Sequence, residues 1–400
     1  MLFLIKNLVF RKVTLLGSPL PEEGGPVLYL GFHRNGAVDG WAYRIALSRP
    51  IEFLVASNLM KNPISKLFFS GIEVTRQGDE GSPASNRKGL NHAVEQLVKG
   101  GSLFVFPEGT STLGPKHLEF MKGAALIASR TFRERNDLRI VPLSIRYDAP
   151  PLLGCNVEVT AGPALSITNF AVEGKDSPPY IKIPDAKAIH EVITDALEIL
   201  SPDFGSEERQ SDAAALASLI TANTPATYTD ALRVAEKLLD EPTGDLWRAY
   251  RQRSVPCMKW HNIALFPGRN IFIEALSAFF SGVVVAAAAL FNILPVSAGL
   301  YAGRRFPDAP NVVLLWKTLV GMAVFLIATP LLWATLIALD LGPYVVRHVV
   351  LTVLGCKILD ISRKSCVSLW NRLFHRPLLH EFENLKEGVI DAAMAQLSDS

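Results

Sequence analysis

The sequence predicts an α/β domain, a mixed sheet flanked by helices, followed by a C-terminal α-helical membrane region. Three observations carry this expectation. Short apolar runs alternate with helical periods from Pro26 to about Pro163. Glycine and polar clusters punctuate these runs, as at Gly100-Gly101. Two uncharged apolar stretches in the last third are long enough to cross a hydrocarbon core of about 30 Å, and 49% of all residues are hydrophobic, with a mean hydropathy of +0.24.

Taken in order, Met1 to Leu16 mixes Leu2, Phe3, Leu4, Ile5, Leu8, Val9 and Phe10 with Lys6, Arg11 and Lys12. It lacks the continuous apolar core and small-residue cleavage pattern of a secretory leader. An apolar helix with basic residues suits a membrane surface, so residues 1–20 are expected to form an interfacial amphipathic helix; packing on its own domain is the alternative. A catalytic domain then runs over 21–200. Strands are expected at Val27–Leu30, Ile51–Ala56, Gly71–Arg76, Ser102–Phe106, Ile140–Arg146 and Val157–Thr160. Helices are expected at Asp39–Leu47, Leu59–Phe69, Arg87–Lys99 and Met121–Phe132, with an exposed loop over Gln77–Asn86. Gly174 to Asp185 reads as a polar excursion, and Ala186 to Ile199 regains helical periodicity.

Residues 201–270 read as a helical accessory region without chemistry. A membrane region over 271–362 would hold two transmembrane helices at about 275–294 and 318–339, the second containing Pro330, which membrane helices tolerate. Leu341 to Leu359 is also apolar, but Arg347, His348 and Lys357 make it interfacial or packed against the pair. A helical tail over 363–400 completes the chain. Basic residues before the first span (Arg251, Arg253, Lys259, Arg269) and after the last (Arg363, Lys364, Arg372, Arg376) favour cytoplasmic placement of both ends, although Arg304, Arg305 and Lys317 lie between the spans. The expected location is a multi-pass membrane protein with its catalytic domain in the cytoplasm.

A net charge of +2 leaves no footprint for nucleic acid. Cys155, Cys257, Cys356 and Cys366 have neither zinc-ligand spacing nor a disulfide framework, which suits a reducing compartment.

The chemistry gathers where strands stop. Gly31-Phe32-His33-Arg34-Asn35-Gly36-Ala37-Val38-Asp39-Gly40 follows the first strand and carries a histidine and an aspartate six positions apart. A neutral imidazole can take a proton near physiological pH, and a carboxylate can fix its tautomer and stabilise the imidazolium. Gly71-Ile72-Glu73-Val74-Thr75-Arg76, Phe106-Pro107-Glu108-Gly109-Thr110-Ser111 and Val141-Pro142 follow at or near later strand ends, where α/β sheets collect ligands. Arg76 can bind phosphate bidentately. Glu108 can accept from a substrate hydroxyl or hold Arg76, Gly109 allows close backbone approach and Thr110 offers a hydroxyl. No G-x-S-x-G elbow, H-E-x-x-H, P-loop or G-x-G-x-x-G occurs, and no cysteine lies in these blocks.

These four blocks, in this order, resemble the glycerolipid acyltransferases of phospholipid synthesis over about Val27–Tyr147. That family usually has four residues between the histidine and aspartate. This chain has five, and Asn35 fits the H-x-N-x-x-x-D form of a branch that includes fungal glycerol-3-phosphate acyltransferases. On a helix neither spacing brings the two side chains together, so a turn must do so.

The resemblance implies transfer of an acyl group from acyl-CoA or acyl-carrier protein to glycerol 3-phosphate, with His33 and Asp39 catalytic and no metal or cofactor. It places Asn35, Arg76, Glu108, Gly109 and Thr110 at the acceptor and Pro142 at the acyl pocket. The expected partners are membrane lipids, the acyl donor and the glycerol phosphate acceptor. Lysophosphatidate or another lysophospholipid is the alternative acceptor, and a catalytically silent lipid-binding protein is the rival from another class.

Overall fold

β2 (Val27–Gly31) is buried at every position, as a central strand covered on both faces must be. It pairs in parallel with β5 (Ser102–Val105) on one side and β6 (Arg139–Tyr147) on the other. The computed structural model describes residues 1–57, 66, 68–74, 83–166, 185–201, 203–267 and 270–398. Among them a seven-stranded sheet runs β1-β7-β6-β2-β5-β3-β4, with β1 (Phe10–Gly17), β3 (Glu52–Ala56), β4 (Ile72–Val74) and β7 (Cys155–Ala161) completing it. Only β6 and β7 pair antiparallel, so the sheet is mixed. Flanking helices are α1 (Leu2–Leu8), α2 (Val38–Leu47), α3 (Pro83–Val98), α4 (Gly123–Phe132) and α5 (Ala186–Leu200).

Two expectations change. The interfacial helix over 1–20 is corrected: α1 spans seven residues, and β1 follows it as an edge strand. Val13 and Thr14 are β-branched and suit a strand, and β7 offers an open edge with Val13 opposite Val157 and Leu15 opposite Val159. The expected loop over Gln77–Asn86 is shortened, because α3 already begins at Pro83, a residue suited to a first helical turn. The helix expected at Leu59–Phe69 lies mostly outside the described residues. So do Thr75, Arg76, the segment 77–82 and the excursion over 174–184.

Pro142 occupies an interior strand without breaking it. On the β7 side the ladder runs from Leu143 opposite Ala161, and an isolated bridge joins Ile140 to Leu165. Pro142 falls in the gap between them, and its carbonyl accepts from the Gly162 N–H at 2.9 Å. A missing donor is tolerated there.

Residues after 200 build a second core. α6 (Glu207–Asn223), α7 (Tyr228–Leu238), α8 (Pro242–Arg253) and α13 (Leu379–Ser398) bury Leu216, Leu232, Trp247, Phe382 and Leu385 together. The predicted C-terminal tail thus packs into the accessory region.

α9 (Ile271–Phe291) and the helical stretch Pro310–Ala338 are long and apolar enough to cross a membrane, each with a mean hydropathy of 2.1. Phe272, Phe279, Phe280 and Leu290 of α9 are exposed. The first helix ends earlier than expected, at a break on Asn292, and α10 (Ile293–Arg305) fills the predicted connection. α11 (Val313–Ala338) begins inside the core of the sheet domain, where Leu314, Leu315, Leu319 and Met322 join the cluster that covers the sheet. The third apolar stretch belongs to α12 (Pro343–Phe374), which packs along α9 with Gly355 against Ala288.

Candidate active site

Because β2 and β5 are adjacent and parallel, the segments leaving their C-terminal ends meet. His33 leaves β2 and Glu108 leaves β5, and the two are joined: the His33 N–H donates to Glu108 Oε2 at 2.6 Å. Glu108 Oε1 accepts from the Leu118 N–H at 3.0 Å, while the His33 carbonyl accepts from Thr112 N–H at 2.9 Å. Glu108 is therefore a clamp between two loops, with both oxygens engaged by backbone.

Burial pushes the Glu108 carboxyl up, opposed by the His33 and Leu118 N–H groups and by Arg34. A carboxyl raised in the folded state contributes stability that is greatest at low pH and is lost as pH rises through its folded value. Glu108→Gln removes this contribution. The melting temperature of the wild type relative to that variant is thus expected to rise between pH 7 and pH 4.5, as thermal melts at both pH values would read.

A turn joins His33 to Asp39. Gly36 sits in left-handed backbone (φ +57°), and a side chain there would also press on the Asn311 carbonyl and Val312. The Asp39 N–H donates to the Gly36 carbonyl at 3.1 Å, placing Asp39 in the first turn of α2. Its carboxylate is fully buried and accepts four hydrogen bonds. Oδ2 takes the N–H groups of Arg34 (2.7 Å) and Asn35 (2.8 Å) and Nδ1 of His33 (2.9 Å). Oδ1 takes the Tyr147 hydroxyl at 2.6 Å.

A carboxylate only accepts, so Nδ1 of His33 carries the proton and Nε2 keeps its lone pair. The ring stacks on Phe106 at 4.1 Å between centroids and lines a cleft of about 280 Å³ with Met1, Leu2, Trp41, Phe53 and Phe68. The arrangement can remove a proton from a hydroxyl placed in an apolar cleft.

Of the other predicted site residues, none among the described residues shares that cleft. Asn35 is fully buried, its Nδ2 donating to the Pro150 carbonyl at 2.9 Å. Gly109 takes left-handed backbone (φ +69°) beside Met121, Thr110 is exposed, and Pro142 lies in the sheet opposite Leu30. Arg76 lies outside the described residues. Positive charge at the cleft comes instead from Arg44 and Lys66, which sequence reasoning missed. Arg44 lies over the Phe53 ring at 5.1 Å and donates to the Ile51 carbonyl at 3.2 Å.

Tyr147 was also missed. Its signal was the strand alternation that puts Leu143, Ile145 and Tyr147 on one face of β6. Burial and the neighbouring Asp39 push its hydroxyl pKa well above the usual value, so it is a fixed donor. Tyr147→Phe leaves Asp39 Oδ1 without a partner, an expected cost of about 1–3 kcal/mol in stability, readable as a lowered melting temperature.

A buried histidine–carboxylate pair thus lies at the C-terminal edge of parallel strands beside an apolar cleft, an arrangement with the chemistry of a general base. Residues 12–146 match the family model described as Acyltransferase. A 1-acyl-sn-glycerol-3-phosphate acyltransferase of Chlamydomonas reinhardtii is 29% identical over 139 residues, covering 34% of this chain and 39% of that protein. A chloroplastic 1-acyl-sn-glycerol-3-phosphate acyltransferase of Arabidopsis thaliana is 27% identical over 139 residues, covering 34% and 36%. This chain therefore matches well under half the length of either relative. The crystal structure of the 1-acyl-sn-glycerophosphate acyltransferase PlsC from Thermotoga maritima aligns with 47% of this chain and 72% of its own, at 18% identity and a TM-score of 0.30.

Proposed function

We propose that the chain transfers a fatty acyl group from an acyl thioester, acyl-CoA or acyl-carrier protein, to the free hydroxyl of a glycerol phosphate at a membrane surface. The observation that carries this reading is His33, held through Nδ1 by Asp39 and lining the apolar cleft. The acceptor hydroxyl attacks the thioester carbonyl while His33 Nε2 takes its proton, and Asp39 balances the imidazolium. Collapse of the tetrahedral adduct breaks the C–S bond, and the leaving thiolate receives the proton from His33. Arg44 and Lys66 are placed to hold the acceptor phosphate, and Trp41, Phe53, Phe68 and Phe106 to line the acyl chain.

The names of the matched relatives favour 1-acylglycerol 3-phosphate as the acceptor. Glycerol 3-phosphate is the second reading, favoured by the five-residue spacing between His33 and Asp39. Asn35, which that spacing brought into the motif, has its side chain tied to Pro150 and not to the cleft, so its support for the second reading is indirect. The deciding experiment gives the purified full chain labelled acyl-CoA with each acceptor in turn. Turnover with 1-acylglycerol 3-phosphate well above that with glycerol 3-phosphate is expected; the reverse ratio would install the second reading, and no turnover with either would remove the enzyme assignment.

A multi-pass membrane protein suits the same reading, because the lipid product must leave into a bilayer, and the basic residues flanking the spans favour a cytoplasmic catalytic domain. The apolar exposed faces of α9 and of Pro310–Ala338 support it. The chain is expected to pellet with membranes in alkaline carbonate and to need detergent for release. Recovery in the carbonate supernatant would count against spanning helices.

A further inference from the structure

We propose a second lipid site, separate from the His33 cleft, that takes a single-chain anionic amphiphile between the membrane helices and the catalytic domain. This rests on reading α9 to α12 as membrane-embedded. A cavity of about 280 Å³ lies among these four helices, the end of α1 and the β6–β7 loop, with walls that include Ala289, Val296, Gly299, Gly321 and Phe325. It shares no lining residue with the cleft that contains His33. From Lys317 to Phe325 it follows α11 for about 12 Å, at 1.5 Å per residue.

Its two ends differ in chemistry. Toward the catalytic domain stand Lys317 and Arg363. Lys317 Nζ donates to the Pro151 carbonyl at 2.8 Å, and Arg363 Nη1 to the Leu153 carbonyl at 3.0 Å. Neither makes an ion pair among the described residues. The carboxylate nearest Arg363 in sequence, Asp360, is already engaged by Trp260, His261 and Arg11. Arg363 also feels the charge of Asp360 without touching it, whereas Lys317 has only the Pro151 carbonyl and the cationic neighbours Arg363 and Arg304, so this end of the cavity carries positive charge that an anion would balance.

Thr318 adds an independent sign. It is 3% exposed, lines the cavity, and its hydroxyl has no hydrogen-bond partner. In a helix such a hydroxyl ordinarily bonds the carbonyl four residues back, so this one is left for a head-group oxygen. Beyond it the walls are small or apolar, apart from Asn292 and Thr352, which bond each other at 2.8 Å.

A ligand with one acyl chain and a carboxylate or phosphate head satisfies both ends, with the head on Lys317, Arg363 and Thr318 and the chain toward Phe325. The head would rest on the β6–β7 loop, whose Pro150 carbonyl ties Asn35 of the catalytic turn. Occupancy of the site thus braces the loop that supports the base.

The test uses the full chain carrying His33→Ala, in mild detergent, so that binding is read without turnover and apart from the proposed reaction. Diazirine-bearing palmitate is photolysed on it and the adducts mapped by peptide mass spectrometry; a parallel arm uses diazirine-bearing lysophosphatidate to distinguish a carboxylate from a phosphate head. Saturable adducts on peptides spanning 295–300 and 317–325, displaced by unlabelled ligand, are expected with at least one probe. Loss of the head-group contact in Lys317→Gln should weaken binding about tenfold or more, the value of a charge-assisted hydrogen bond, with recovery in Lys317→Arg. Ala289→Phe should block the chain. Should Lys317→Gln fail to fold, saturation and displacement in the parent chain still decide. Adducts confined to 37–55, or spread without saturation over the outer faces of α9 and α11, would overturn the site.

Discussion

His33→Ala is expected to lower acyl transfer by about 10²–10⁴-fold, the usual contribution of a positioned general base, with little change in the KM for the acceptor. The fold should survive. The backbone of His33, and not its side chain, bonds Glu108 and Thr112, so the clamp between the β2 and β5 loops is retained. Asp39 loses one of its four donors and keeps the N–H groups of Arg34 and Asn35 and the Tyr147 hydroxyl. Binding and orientation of the two substrates account for the residual rate. Assayed with labelled acyl-CoA and 1-acylglycerol 3-phosphate, a variant that melts near the wild type and turns over unimpaired would remove His33 as the base.

The pair itself was legible because both members lie on one short segment after a strand, and the chemistry of a histidine near a carboxylate is local. What surrounds the pair was not. Tyr147 reaches Asp39 only because β6 is the neighbour of β2, and the sheet order is not written in any motif. Glu108 stood in a recognisable block, yet its hydrogen bonds go to backbone N–H groups, which nearly every residue carries and no sequence pattern marks. Arg44 lies on the helix that follows the motif, where a basic residue reads as an ordinary solvated one. At the N-terminus, the mix of apolar and basic residues over Met1 to Leu16 read as a helix, and it is pairing with the open edge of β7 that makes Phe10 to Gly17 a strand. The two long apolar helices were visible from hydropathy alone, but the entry of Leu314 and Leu319 into the core that covers the sheet depends on long-range packing.

Asp39→Asn separates charge from geometry, and is expected to cost about as much activity as loss of the base, roughly 10²–10⁴-fold in kcat. The isosteric amide can keep the turn. With its oxygen at the present Oδ2 position it still accepts from the Arg34 and Asn35 N–H groups and from His33 Nδ1, and its NH₂ then faces Tyr147, whose hydroxyl can accept as well as donate. What disappears is the negative charge. Proton abstraction turns His33 into an imidazolium beside a neutral amide in a buried site, where the lost attraction is poorly replaced by solvent. The defect should therefore fall on kcat and spare the acceptor KM, and the stability loss should be smaller than in Asp39→Ala, which leaves the two N–H groups and the tyrosine hydroxyl without acceptors. Single-turnover rates and melting temperatures of the two variants distinguish these effects. Wild-type kcat in the Asp39→Asn variant would show that the carboxylate orients the histidine without supplying charge to the reaction.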